Sequence, residues 1–283
     1  MIDFSVSMPA MKIEEIEDSL DILSASGFYY VNVSEFLCSE LLAASESTLA
    51  SFRRNLQLRS MNIDWIHAPF RNRCIYSKKN EDIYKASIYE LCNSILIASY
   101  LGANSVIVHP IPSHCPANEN FLDALPVLKE SYLFLTEYAQ KYDVVVAIEN
   151  LLEGFMIHIT GWLLDEITDL MFCLDTGHAN VSGFWDRSLM HYGKKLVALH
   201  CNDNHGVTDE HLWPGHGTLD TERMYQMIHD SGYSGIWGLE CRVEISDKAD
   251  AIARYSDLLE EFSSFVFDAR RISEKQSVLV KSS

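Results

Sequence analysis

Six short apolar runs in this sequence each end in a histidine, an aspartate or a glutamate. The six terminal residues, in chain order, are His67, His109, Glu149, Asp175, His200 and Glu240. Each run has the length and apolar character of a buried β-strand, and segments with helical periodicity separate the runs. The carboxyl ends of all strands in a parallel β-barrel open onto one face. The sequence therefore predicts that these six side chains converge on one site.

Strand-like and helix-like segments alternate along the whole chain. Strands are predicted at about residues 2–6, 28–33, 62–67, 105–109, 144–149, 171–175, 196–200 and 235–240. Helices are predicted at about residues 13–24, 47–59, 81–101, 120–142, 161–168, 185–193, 219–231 and 248–267. This strict alternation over 283 residues indicates an α/β protein with a single (β/α)8, or TIM, barrel. We expect the barrel to span residues 1–267 and residues 268–283 to form a disordered tail.

A doubly wound open sheet explains the pattern less well. Such a sheet binds its ligand at one switch point, whereas polar residues here end most of the strands. The chain also has no Gly-x-Gly-x-x-Gly motif after its first strand.

Composition narrows the class of function. The 22 basic and 40 acidic residues give a formal net charge of −18, which disfavours binding to a nucleic-acid backbone. The seven cysteines are odd in number and form no Cys-x-x-Cys pair, which is typical of a reducing compartment. No signal peptide and no membrane-spanning run is evident. We therefore expect a cytoplasmic protein with no membrane association.

Two further segments contain residues of the metal-binding types. In Asp175-Thr-Gly-His178, a tight turn at the glycine brings the imidazole back beside the carboxylate. The alternative is an Asp175 that merely caps a helix, with an unrelated surface histidine. In the loop after the seventh strand, Asp209 and His211 are two residues apart and point the same way if the backbone is extended. Mixed oxygen and imidazole ligands suit Zn2+ or Mn2+.

Other polar residues near the strand ends each have two possible roles. His205 and His216 lie in the same loop, as residues that support the site or are merely exposed. Asn150 is placed to orient a ligand or a substrate hydroxyl. Arg242, and Arg71 with Arg73, are candidates to bind a phosphate or carboxylate, although exposed arginines are more often simply solvated.

Together these motifs resemble the xylose isomerase-like barrels, the superfamily that joins endonuclease IV with sugar and sugar-phosphate isomerases and epimerases. The resemblance covers residues 1 to about 265. It rests on the six strand-end residues together with Asn150, Asp175-Thr-Gly-His178, Asp209-x-His211 and Pro214-Gly-x-Gly217. His216 departs from the pattern, because relatives often have an acidic residue there.

The resemblance implies two alternative chemistries. In the epimerase branch, residues resembling Glu149, Asp175, His200 and Glu240 hold one divalent ion. The two glutamates exchange protons beside a ketose carbonyl, and the equivalent of His178 contacts the substrate. In the endonuclease IV branch, these four residues and the equivalents of His67, His109, His178, Asp209 and His211 bind three zinc ions.

Charge and loop composition favour the first chemistry. The loop expected after the second strand, Ser34 to Glu40, is acidic and lacks the basic residues with which endonuclease IV-like enzymes penetrate DNA. We therefore predict an isomerase or epimerase that binds one to three Mn2+ or Zn2+ ions and acts on a small carbohydrate or sugar phosphate. Its catalytic residues would be Glu149 and Glu240, and its substrate contacts His178, Asn150 and Arg242. The alternatives are an endonuclease IV-like trinuclear-zinc phosphodiesterase acting at abasic sites in DNA and a barrel that binds without catalysis. The oligomeric state, including a homo-oligomer, stays open.

Overall fold

Eight parallel strands form the centre of the molecule. The computed structural model describes residues 2–71, 73–111, 121–152 and 156–281. The strands are β1 (Phe4–Ser7), β2 (Tyr30–Val33), β3 (Asn62–His67), β4 (Ser105–Val108), β5 (Val145–Glu149), β6 (Met171–Asp175), β7 (Leu196–His200) and β8 (Trp237–Leu239). The sheet order is β7-β6-β5-β4-β3-β2-β1-β8, and a parallel bridge between Cys201 and Leu239 closes it into a barrel. The predicted TIM barrel is therefore confirmed.

Ten α-helices of the described chain surround the strands. They are α1 (Ile16–Ala25), α2 (Glu35–Leu42), α3 (Glu46–Leu58), α4 (Glu81–Leu101), α5 (Phe121–Gln140), α6 (Met156–Glu166), α7 (Thr176–Ser182), α8 (Trp185–Tyr192), α9 (Thr221–Asp230) and α10 (Lys248–Lys281). Gly102 ends α4 in the left-handed conformation, with φ of 81°, which glycine adopts without steric cost. Within residues 2–71, 73–111, 121–152 and 156–281, no helix is long and apolar enough to cross a bilayer.

Two of these helices were not predicted. The acidic segment after β2, expected to be a loop, forms α2, and the Ser34 hydroxyl accepts the Leu37 N–H at its start. The turn expected after β6 is the first turn of α7, with Asp175 as its N-cap. Both helices are shorter than ten residues. Their periodicity is too brief to stand out in the sequence.

A small apolar layer fills the barrel below the strand ends. It consists of Trp65, Ile107, Ala147, Cys173 and Ala198, all fully buried. The Trp65 ring lies 4.2 Å from the His200 ring, centroid to centroid. The residues that follow along the strands therefore lie above a packed apolar layer and point to the mouth of the barrel.

The last helix includes residues 268–281, which belong to the segment expected to be a disordered tail. α10 runs past Asp268 to Lys281, and Ala269 on it is fully buried. The Ser273 hydroxyl hydrogen-bonds the Asp230 carboxylate at 2.5 Å. The helix therefore packs against α9 beyond the expected limit of the domain at residue 267.

We expect Ala269→Asp to destabilise the protein, because it would place an unpaired charge in a fully buried position. The expected loss in the free energy of unfolding is about 3 kcal/mol. Ser264→Asp adds the same charge at an exposed position of the same helix and should change it by no more than about 0.5 kcal/mol. Urea titration measures both. Equal stability of the two variants would mean that this part of α10 is not packed on the barrel.

Candidate metal centre

Three side chains from adjacent strands form the first cluster at the mouth. The Nε2 atoms of His67 and His109 lie 3.1 Å apart, and each is 3.1 Å from Oε2 of Glu149. All three residues are buried. Three donor atoms at these spacings, all facing one point, are the arrangement of a metal site with mixed nitrogen and oxygen ligands.

A second cluster shares Glu149 with the first. Nδ1 of His200 lies 2.9 Å from Oε2 of Glu240 and 3.4 Å from Oε1 of Glu149. Asp175 completes it, with Oδ2 at 3.9 Å from the same nitrogen. The pairing of β6 with β7 sets Asp175 opposite His200, so the sheet register itself brings these two together. One carboxylate, Glu149, thus lies between two potential cation positions.

A third cluster forms around Asp209. Oδ2 of Asp209 lies 2.8 Å from Nε2 of His211 and 3.5 Å from Nε2 of His178. His178 comes from α7, whereas the other two residues come from the long loop after β7. All nine residues predicted from the sequence as metal ligands therefore line one mouth.

Hydrogen bonds fix the orientation of three imidazoles. Nδ1–H of His67 donates to the Ala68 carbonyl at 2.9 Å. Those of His178 and His211 donate to the carbonyls of Asn150 and Glu240, each at 2.8 Å. With Nδ1 protonated, a neutral ring presents an Nε2 lone pair, which is the form that binds a metal.

Burial and neighbouring charges shift the pKa values of the site in opposite directions. Burial opposes ionisation of Glu149, but the imidazoles of His200, His109 and His178 hold its pKa well below its usual range. Burial raises the pKa of Asp175 to about 6, against the pull of His178 and with help from the Glu149 charge. Two carboxylates at one mouth therefore differ strongly in their affinity for protons.

The residues fit a divalent metal. Four carboxylates, those of Glu149, Asp175, Asp209 and Glu240, meet here, and such a group is stable in a buried site only with cations beside it. Several polar atoms in the described chain also have no hydrogen-bond partner although they are buried. Among them are Nδ1 of His109, Nε2 of His200 and Oδ1 of Asp209. The described side chains at this mouth therefore include groups that could hold a metal ion.

Polar side chains that were not predicted hold the ligands in place. Asn202 donates from Nδ2 to Oδ2 of Asp175 at 3.0 Å, and Asp175 Oδ1 accepts the His178 N–H at 2.6 Å. Asp175 is therefore both a helix cap and a candidate ligand, and His178 is buried beside it and is not an unrelated surface histidine. A side chain at Gly177 would collide with the Asn202 amide, which explains the glycine.

Asn150 has a defined positioning role. Its amide donates to the Asp175 carbonyl and accepts the Asp175 N–H, both at 2.8 Å. These bonds tie the end of β5 to the end of β6. Contact of Asn150 with a substrate stays a prediction.

One aromatic ring at the mouth also escaped prediction. Phe70 stacks on His109 with centroids 4.0 Å apart and planes 16° apart. Nδ1 of His109 has no hydrogen bond within the described chain, so this stacking and the Nε2 contacts with His67 and Glu149 orient the ring. No spacing rule in the sequence pointed to Phe70.

Several predicted polar residues do not join the clusters. His205 pairs with Glu210 and His216 with Glu261, and both histidines are more than half exposed. Arg71 pairs with Glu35, and Arg73 pairs with Glu90. Arg242 is exposed at the mouth, and its backbone N–H donates to the His211 carbonyl at 2.9 Å.

Six of the cysteines are free thiols. Cys115 lies outside the described residues.

Comparison with known proteins agrees with this geometry. The protein MJ1311 of Methanocaldococcus jannaschii is 26% identical over 228 residues, which cover 75% of this chain and 73% of that protein. A D-tagatose 3-epimerase-like protein superposes with a TM-score of 0.75 at 20% identity, over 94% of this chain and 99% of the other. L-ribulose 3-epimerase superposes with a TM-score of 0.76 at 16% identity, over 98% of each chain. At these identities the two structural likenesses establish the fold alone.

A family model describes most of the chain. Residues 20–262 match the model of the xylose isomerase-like TIM barrel, and this range includes all nine candidate ligands. The match agrees with the strand order. The chain therefore belongs to the xylose isomerase-like TIM barrel family.

Proposed function

We propose that this protein is a divalent-metal-dependent isomerase or epimerase of a sugar or sugar phosphate. The observation that carries the proposal is the approach of two glutamates, Glu149 and Glu240, to the same nitrogen of His200. Two carboxylates beside one cation position can bracket a substrate carbon, one taking a proton and the other returning it. The family match and the epimerase folds among similar structures support this assignment.

Glu149, Asp175, His200 and Glu240 would hold the ion that serves this reaction. When bound, such an ion polarises a carbonyl and its neighbouring hydroxyl and so makes the adjacent C–H more acidic. Zn2+ and Mn2+ both suit these ligands.

The two glutamates differ in their access to a substrate. The side chain of Glu149 is 2% exposed, and both of its oxygens lie within 3.4 Å of imidazole nitrogens. That of Glu240 is 22% exposed at the mouth, and its Oε2 lies 2.9 Å from Nδ1 of His200. We therefore assign to Glu240 the larger share of proton transfer with the substrate. Without a metal, burial opposes ionisation of Glu240, but the charge and hydrogen bond of His200 hold its pKa at about 2.

Other residues at the mouth can orient the substrate. His178 is 8% exposed, and its Nε2 faces Asp209 at the edge of the cleft. Arg242 is exposed beside Glu240 and can bind a phosphate or carboxylate carried by the substrate. We expect a bound sugar to contact these two side chains first.

Product analysis tests the proposal. Metal-loaded protein is incubated with ketoses, ketose phosphates and keto-sugars, and the recovered sugars are separated by chromatography. We expect one class to be converted to its epimer or to the corresponding aldose. Recovery of every sugar unchanged, with metal shown to be bound, would contradict the proposal.

One observation favours a second function, a trinuclear-zinc phosphodiesterase acting at abasic sites. The clusters around His67 and Asp209 add five ligands that single-metal proton transfer does not need. Against it, Arg71 is paired with Glu35, and the net charge of −18 repels DNA. Nicking of an abasic duplex by metal-loaded protein, with three metals per chain, would favour this function over the first.

A further inference from the structure

A buried carboxylate outside the three clusters gathers the loop that follows β7. Asp203 is fully buried, and its Oδ1 accepts the backbone N–H groups of Asn204 at 2.7 Å and Leu219 at 3.0 Å. Its Oδ2 accepts those of Gly217 at 2.9 Å and Gly215 at 3.1 Å. One side chain thus ties both ends of the segment 204–219 to the barrel rim.

The two loop ligands lie between these tethered ends. The backbone of Asp203 pairs with that of Leu212 through two hydrogen bonds of 2.9 Å, next to His211. His211 itself has φ of 52°, a left-handed conformation that is unfavourable for a residue other than glycine. The surrounding bonds must hold it there, because an untethered loop would relax to a more favourable conformation.

The other two clusters draw none of their side chains from this loop, whose link to them is the bond from His211 to the Glu240 carbonyl. His67, His109, Glu149, Asp175, His200 and Glu240 all lie at the ends of strands. In the third cluster only His178 lies outside the loop, whereas Asp209 and His211 are both within it. A substitution that displaces the loop should therefore disturb the third cluster more than the other two.

We infer that Asp203 is a positioning residue that holds Asp209 and His211 against His178 and so controls metal binding at the third cluster. This inference rests on the proposed metal-dependent function and adds to it a metal ion at the third cluster, separate from the ion that Glu149, Asp175, His200 and Glu240 would hold. Asp203 is not itself a ligand, because its two oxygens are occupied by four backbone donors. Its effect on the metal passes through the loop.

The test is the metal content of Asp203→Asn. In the variant, the amide –NH2 faces two backbone N–H groups that donate to a carboxylate oxygen in the wild type. The loop therefore loses two hydrogen bonds, whereas the side chains at the strand ends are unchanged. We expect this variant to bind one equivalent of Zn2+ fewer than the wild type, or to bind that equivalent about 10–100-fold more weakly. Elemental analysis and Zn2+ titration of the full-length protein measure both.

Two further variants serve as controls for Asp203→Asn. Asp220→Asn makes the same charge change at an exposed carboxylate that accepts the Arg223 N–H and caps α9, and it should keep the wild-type metal content. His211→Ala removes a ligand of the third cluster directly and should reproduce the loss of the same equivalent. Circular dichroism establishes that each variant is folded.

Several outcomes decide the inference. A folded Asp203→Asn that binds as much Zn2+ as the wild type, or that loses all of its Zn2+ at once, overturns it. A wild type that binds one Zn2+ ion, with the same affinity as Asp203→Asn, also overturns it.

If Asp203→Asn does not fold, Gly217→Ala takes its place, because the added methyl would collide with Asp203 Oδ1 and the Asn204 carbonyl in the same loop. A folded Gly217→Ala must then lose the same equivalent, and full retention overturns the inference. A wild type that binds no metal at all contradicts the proposed function itself.

Discussion

Glu240→Gln should reduce the rate of sugar interconversion by about 100-fold to 10,000-fold, the usual contribution of a positioned acid or base. The glutamine keeps the size of the side chain and an oxygen that can face His200. It cannot accept a proton at neutral pH. The loss should therefore persist when Zn2+ or Mn2+ is added to saturation, because it reflects proton transfer and not metal occupancy. Steady-state kinetics at saturating metal measure it.

Glu244→Gln is the matched control for this variant. Glu244 is exposed and lies four residues further along the same loop, so the same loss of charge should leave the rate within about twofold of the wild type. If Glu240→Gln regains most of the wild-type rate at high metal concentration, Glu240 is a ligand alone. The assignment of proton transfer to it would then be wrong.

Removal of the metal should cost both activity and stability. A ligand that binds only the folded state adds about 2.7 kcal/mol when present at 100 times its Kd. At about 2 °C per kcal/mol for a chain of this size, chelation should lower the Tm by roughly 5 °C or more. The physical reason is that four carboxylates at one buried mouth lose the cations that offset their charge. Thermal scans with and without EDTA measure the shift, and added metal should reverse it.

A variant that removes both exposed loop histidines serves as the control for chelation. His205 and His216 pair with Glu210 and Glu261 away from the mouth. The double variant His205→Ala, His216→Ala should therefore lose the same Tm on chelation as the wild type. A wild-type Tm and rate unaffected by EDTA, after elemental analysis shows the metal removed, would contradict a metal-dependent site.

The sequence contained most of the information needed to predict the site. Buried parallel strands are short apolar runs, and a single polar residue at the end of each stands out against them. Once the alternation indicated a barrel, the convergence of His67, His109 and the rest followed from topology alone. His178, Asp209 and His211 lie outside strands, and it was their residue types and close spacing that singled them out.

The remaining features depend on contacts between distant segments. Asn202 and Asp203 look like ordinary loop residues in the sequence, yet both are fully buried and hold the metal ligands or their loop in place. The stacking of Phe70 on His109 joins residues 39 positions apart, and no local pattern encodes it. The polar residues at the end of α10 predict a tail. Its attachment through Ala269 is visible only once α9 lies beside it.

Exchange of substrate hydrogen with solvent tests the central claim most directly. Metal-loaded wild type and Glu240→Gln are incubated with the keto-sugar panel in D2O, and the recovered sugars are analysed by mass spectrometry and NMR. The account predicts that the wild type incorporates one deuterium at the carbon beside the carbonyl of its substrate, and that Glu240→Gln incorporates essentially none. Equal incorporation by both proteins, or none by a metal-loaded wild type that nicks abasic DNA, would contradict it.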